Sequence, residues 1–115
     1  MVFHHPAYTS GEYQSTPAVA DRWVPLFERH GVDLVLSGHD HNYQRFARRE
    51  GVRYVVSGGG GARVYALHAC PAGYPHLVAG AARRSFLYLL VRSGGLRVRA
   101  VTPGGTVLDR FSVYP

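Results

Sequence analysis

Apolar positions fall into short runs of four to seven residues, punctuated by glycine, proline and polar turns, with one longer stretch of a different period. In "TPAVADRWVPLFERHG" (residues 16–31), Val19, Trp23, Leu26, Phe27 and His30 recur at helical spacing and predict one buried stripe. Thr16 suits the N-cap, Pro17 the first helical position, and Gly31 a left-handed C-terminal cap. Pro25 should kink this helix or break it into two turns. The runs "VFH" (2–4), "VDLVLS" (32–37) and "VRYVVS" (52–57) read as strands. The last two are almost wholly apolar, as expected of strands covered on both faces. Residues 66–84 carry no readable period and predict an ordered loop. Three further strands, "SFLYLLVRS", "LRVRAVT" and "TVLDRFSVY", are separated by "GG" and "PGG" turns and predict an antiparallel meander. Within the second, Leu96, Val98 and Ala100 should face inward, with Arg97 and Arg99 outward.

A chain of 115 residues supports one modest core. No apolar run is long enough to span a bilayer, and "MVFHHP" lacks the basic and apolar regions of a secretory signal. The net charge of +6 comes from 13 arginines that never form more than a pair. Such scattering reads as a solubilising surface, so nucleic acid is not an expected partner. The single cysteine, Cys70, excludes an internal disulfide and fits no multi-cysteine zinc pattern.

The chemistry-bearing candidates sit where strands end. "LSGHDHNYQRF" (36–46) places His39 and His41 two residues apart, just after an apolar run and Gly38. In an extended segment their side chains would share one face, about 7 Å apart at Cα, and Asp40 would point away. Alone, this spacing fits a pair of hydrogen-bonded turn histidines as well as metal ligands. "VFHHP" also ends a strand with histidine, which makes a cluster of His4, His39 and His41 the leading local expectation. The glycine run at 58–61 has no Lys-Ser or Lys-Thr after it and is not a Walker A loop. It reads as a tight turn that another backbone approaches closely.

Taken together, "VFHHPAYTSG", "WVPLFERHGVDLVLSGHDHNYQR" and "GVRYVVSGGGGARVY" resemble the C-terminal half of calcineurin-like metallophosphoesterases, in their purple-acid-phosphatase-like branch. The resemblance implies an α/β fold: half of a four-layer α/β/β/α sandwich, ending in an antiparallel β-meander. Residues 1–65 would be the C-terminal part of the catalytic domain and 66–115 its meander extension. It further implies two metal ions, iron, zinc or manganese, at the strand ends. His4 and His39 match ligands of one ion and His41 a ligand of the other. His5 matches a position beside the site that could contact substrate phosphate or assist the leaving group. Tyr43 and Arg45 match the continuation of the motif, as packing residues or partners that orient the imidazoles. The implied reaction is two-metal hydrolysis of a phosphate ester, and the branch leans toward extracytoplasmic proteins.

The family's Asp-x-His, Gly-Asp-x-x-(Asp/Tyr) and Gly-Asn-His blocks do not occur in this sequence. Three neutral imidazoles cannot offset two closely held multivalent ions, so this chain is expected to be inactive alone. A missing N-terminal half carrying the Asp and Asn ligands becomes the expected partner, and an uncovered apolar face the expected structural consequence. The alternative is a non-catalytic module whose basic, histidine-bearing surface binds a partner or a single metal ion.

Overall fold

The computed structural model describes residues 1–115. It contains one helix, α1 (Pro17–Arg29), and seven strands. They are β1 (Leu34–Ser37), β2 (Tyr43–Phe46), β3 (Arg53–Ser57), β4 (Leu77–Ala81), β5 (Phe86–Arg92), β6 (Gly95–Val101) and β7 (Val107–Val113). The first sheet has the order β1-β3-β2-β4 and the second β5-β6-β7. β1 runs parallel to β3; every other pairing is antiparallel. No helix is long and apolar enough to cross a membrane.

The helix ends as its sequence demands. Gly31 takes φ +63, the Val32 amide donates to the Phe27 carbonyl at 2.9 Å, and the Gly31 amide to Glu28 at 3.3 Å. This is a Schellman cap, and Val32 and Phe27 both join the core that accompanies it. Thr16 stands at the N-cap without a side-chain capping bond, and Pro17 follows it. The break allowed at Pro25 does not occur, and the buried stripe needs correction. The helix continues as one element through Pro25, and its buried residues are Val24 and Phe27, while Trp23, Leu26 and His30 are exposed. The apolar stripe is wider than the surface available to cover it.

Alternation along the first sheet divides its side chains between two layers. Val35, Phe46, Tyr54 and Val56 face α1 and pack with Val24, Phe27, Ala7 and Tyr8. Leu34, Tyr43 and Val55 face the second sheet and meet Val98, Ala100 and Val113. The result is an α/β/β stack, with Arg97 and Arg99 exposed on the outer face of β6 as the alternation predicts. Trp23 and Leu26 on the helix, Val2 on the chain's first segment, and Phe86, Tyr88 and Val91 on edge strand β5 remain exposed.

Three segments depart from the pattern. Residues 2–4 make one parallel bridge, Val2 to Leu36, and run beside β1 without forming a strand. β2 lies in the "NYQRF" stretch, where polar residues hid it. β4 lies inside the predicted loop: "LVAGA" is too short and too alanine-rich to announce a strand, but β2 offers it an antiparallel edge.

The sheets are also joined by a charged clamp. Arg45 Nε donates to Asp109 Oδ2 at 2.6 Å and a terminal nitrogen donates to Oδ1 at 3.1 Å; the Tyr43 hydroxyl donates to Oδ2 at 2.6 Å. The Arg45 and Asp109 side chains are only 12% and 11% exposed, so this fork is shielded from solvent. Tyr43 and Arg45 therefore pack between layers and do not touch the imidazoles. Burial pushes the Asp109 carboxyl up, but the bonds from Arg45 and Tyr43 outweigh it and hold it below its ordinary value. A depressed carboxylate stabilises the fold above its unfolded pKa of about 3.9 and loses that contribution as pH falls through its folded value. Asp109→Asn should cost about 3 kcal/mol at pH 7, because it leaves Arg45 half-buried and unpaired. In urea unfolding followed by circular dichroism, the gap to the parent should narrow below about pH 4. A gap unchanged down to pH 2 would contradict this account.

Candidate metal centre

The chain leaves β1 through Ser37 and Gly38 and turns at once, with His39 at φ +66. Non-glycine residues rarely adopt this left-handed conformation, and they do so where surrounding structure compels it. The segment is therefore a turn, and the extended geometry expected for His39 and His41 does not hold. The first segment runs alongside: the Phe3 amide donates to the Leu36 carbonyl at 3.1 Å and the Gly38 amide to the His4 carbonyl at 3.0 Å. The end of β1 and the first segment bridged to it thus release their histidines at one sheet edge.

His4, His5 and His39 converge there, with one nitrogen from each lying within 4.8 Å of the others. His4 Nε2 and His39 Nδ1 are 3.2 Å apart and share a hydrogen bond. The His5 ring centroid is 4.8 Å from that of His4 and 4.7 Å from that of His39. Desolvation, then the neighbouring His5 and His4, lower the His39 pKa, which favours the neutral form that ligates metals.

His41 stands outside this group. Its Nδ1 donates to the Arg63 carbonyl at 2.9 Å, a bond that places the ring proton on Nδ1 and leaves the Nε2 lone pair free. Its ring stacks on Tyr65 at 4.5 Å and 15°. The structure therefore gathers His4 and His39 with His5 instead of with His41. Tyr13 packs on His39 at 4.7 Å and meets Tyr65 at 5.6 Å, so a row of aromatic rings links the two imidazoles. Tyr8, in contrast, is a core residue packed edge-on against Tyr54. The contribution of Tyr65 was missed in the sequence; its only signal was its place at the close of the glycine-rich block.

A buried polar network supports the turn. Asp40 is fully buried and accepts from the Thr9 hydroxyl and, at 3.2 Å, from the Tyr13 amide. Thr9 Oγ1 accepts in turn from the Gly11 amide and from Gln44 Nε2, both at 3.0 Å. Gln44 gives its second amide proton to Asn42 at 2.8 Å and accepts from the Ser10 amide at 2.6 Å. These bonds fix the Gln44 amide orientation and use the full capacity of the Thr9 hydroxyl. Asp40 thus works as the anchor of the turn, facing away from the imidazoles.

The donor set suits a transition metal: neutral imidazoles at a strand exit, one with a fixed tautomer. None of the seven acidic residues joins the imidazole group. The glycine run lies beside this turn. A Cβ on Gly58 would collide with the Asp40 carbonyl, and one on Gly59 would lie 2.9 Å from the Arg83 carbonyl, whereas Gly60 and Gly61 face open space. Close backbone approach thus accounts for the first two glycines only.

Residues 1–43 match the family model for calcineurin-like phosphoesterases. The chain is 39% identical over 57 residues to the tartrate-resistant acid phosphatase type 5 of Oryctolagus cuniculus, a stretch covering 50% of this chain and 18% of that protein. It is 35% identical over 60 residues to purple acid phosphatase 7 of Arabidopsis thaliana, covering 52% and 18%. Among solved structures, purple acid phosphatase PPD1 from Lupinus luteus seeds superimposes with a TM-score of 0.78 at 20% identity, over 98% of this chain and 24% of that one. GAP50, the anchor in the inner membrane complex of Plasmodium, gives 0.83 at 20% identity, over 96% and 34%. The chain spans 18% of the length of the two phosphatases it matches. Part of the sequence is thus similar to calcineurin-like phosphoesterases and purple acid phosphatases, and the whole chain shares the fold of a purple acid phosphatase.

Gly58→Ala should destabilise the protein by about 2 kcal/mol through overpacking against Asp40 and shift the His39 and His41 side-chain NMR resonances. Gly60→Ala should leave both unchanged. Equal effects from the two substitutions would separate the glycine run from the histidine turn.

Proposed function

We propose that this chain, a purple-acid-phosphatase-like metallophosphoesterase fragment, supplies the imidazole side of a dinuclear centre that hydrolyses phosphate esters in a longer protein. The observation that carries this reading is the release of His4 and His39 at one sheet edge, 3.2 Å apart, with His41 following on the same turn. His4 and His39 would hold one ion and His41, through its free Nε2, the other. Iron and zinc suit imidazole donors, and manganese would suit the carboxylates that complete the centre. When bound, the ions would supply Lewis acidity and lower the pKa of water.

The chain's own residues supply position and proton handling. The Arg63 carbonyl holds the His41 tautomer, Tyr13 and Tyr65 brace the imidazoles from the side, and Asp40 fixes the turn that carries them. His5, exposed beside His4, would contact a phosphoryl oxygen or protonate the leaving oxygen. Residues 1–65 would form the C-terminal part of the catalytic domain and 66–115 its extension. The carboxylate and asparagine donors would come from a preceding segment, which would also cover the exposed Val2 and Trp23. Without that segment, three neutral imidazoles do not balance two multivalent ions, and this chain alone would not turn over substrate.

A second reading, a non-catalytic interaction module, draws support from the anchor protein of Plasmodium, because one fold can serve unrelated roles. The two are separated by the reading frame ahead of Met1. If it encodes Asp-x-His and Gly-Asn-His blocks, the joined protein should hydrolyse p-nitrophenyl phosphate with zinc or manganese. His39→Ala should then reduce turnover about 100-fold. The 115-residue chain alone should show no turnover; robust hydrolysis by it would refute the division of ligands given above.

A further inference from the structure

We infer that this chain by itself binds one borderline divalent cation, zinc or cobalt being suitable probes, through His4, His5 and His39. This set differs from the one expected from the family pattern: it admits His5 and leaves out His41. It shares His4 and His39 with the proposed dinuclear centre and to that extent rests on that reading, but it needs no carboxylate from elsewhere.

The geometry is close to a ligand set. A tetrahedral ion with metal–nitrogen bonds of about 2.0–2.1 Å places its ligand nitrogens about 3.3 Å apart. His4 Nε2 and His39 Nδ1 already stand at 3.2 Å; on binding, the proton they share would be taken up by the other nitrogen of one of the two rings. One nitrogen of His5 lies within 4.8 Å of a nitrogen of each of the other two, and because His5 is exposed, its ring can rotate inward without disturbing the core. The chain's backbone fixes the other two imidazoles: His4 by its carbonyl bond to the Gly38 amide, His39 by its left-handed turn and the Tyr13 ring against it.

The fourth position is open. His4 and His5, but not His39, also line a cleft of about 400 Å³ with Met1, Val2, Phe3 and Trp23, from which solvent would reach an ion held by the imidazoles. Three neutral nitrogens and no carboxylate favour a borderline ion such as zinc over magnesium or calcium, which require oxygen donors. The imidazole nitrogen that binds an ion carries no proton. Capture through His5 therefore removes that nitrogen as a proton carrier to a leaving group.

The test uses the full 115-residue chain without any polyhistidine tag. Zinc is titrated by calorimetry, and cobalt by its visible absorption, which reports coordination geometry. One ion per chain is expected, with intense tetrahedral-type cobalt bands and no uptake of magnesium. His5→Ala should weaken affinity at least about 10-fold and His41→Ala less than about 2-fold, with circular dichroism confirming that both remain folded. Absence of binding, indifference to His5→Ala, or loss on His41→Ala would each overturn the inference. Failure of the joined protein to hydrolyse phosphate esters would count against the dinuclear reading while leaving single-ion binding intact.

Discussion

The Asp40 carboxylate, sealed from solvent between the 9–13 segment and the 38–42 turn, accepts from the Thr9 hydroxyl and the Tyr13 amide. A buried charge without hydrogen-bonding partners is costly, and here the donors come from a distant part of the chain. The turn can hold its shape only while residues 9–13 are docked on it. Docking also brings Tyr13 against His39, and Gln44 extends the same network to Ser10 and Asn42. The left-handed His39 follows from this constraint. It is a strained position that the network on one side and the parallel bridge on the other over-determine.

The remainder of the fold serves to present that turn. β1 and β3 are parallel and share their C-terminal ends with the histidine turn and the glycine run. Ligand sites in open α/β sheets collect at such ends. Below the site, the helix-side and sheet-side cores are separated by one layer of strands, and strict alternation assigns each residue to one of them. The Tyr43–Arg45–Asp109 clamp belongs to the second interface. That explains why residues so close in sequence to His41 contribute nothing to its surroundings: β2 turns their side chains away, toward the meander.

Much of this was legible in local pattern. The Schellman cap at Gly31, the meander of β5 to β7, the burial of Val98 and Ala100, and the presence of histidine just beyond β1 all follow from spacing and turn chemistry. β4 was not, since "LVAGA" acquires strand character only from pairing with β2. The helix stripe misled because periodicity identifies an apolar face without saying whether anything covers it. Trp23 and Leu26 belong to that face and remain exposed.

At the candidate centre the division is sharper. The sequence alone determined which donors exist: imidazoles at 4, 5, 39 and 41, with no carboxylate block to balance two ions. Residue type sets the donor atom and the metals it prefers, while the fold shifts its protonation. Only the tertiary structure decided which imidazoles meet. A turn at His39, in place of an extended strand, sends His41 to the Arg63 carbonyl and brings His5 to His4 and His39. The relative direction of nearby side chains depends on the few backbone dihedrals between them, and those of this turn are held by hydrogen bonds reaching across some thirty residues of chain, from Asp40 to Thr9 and Tyr13.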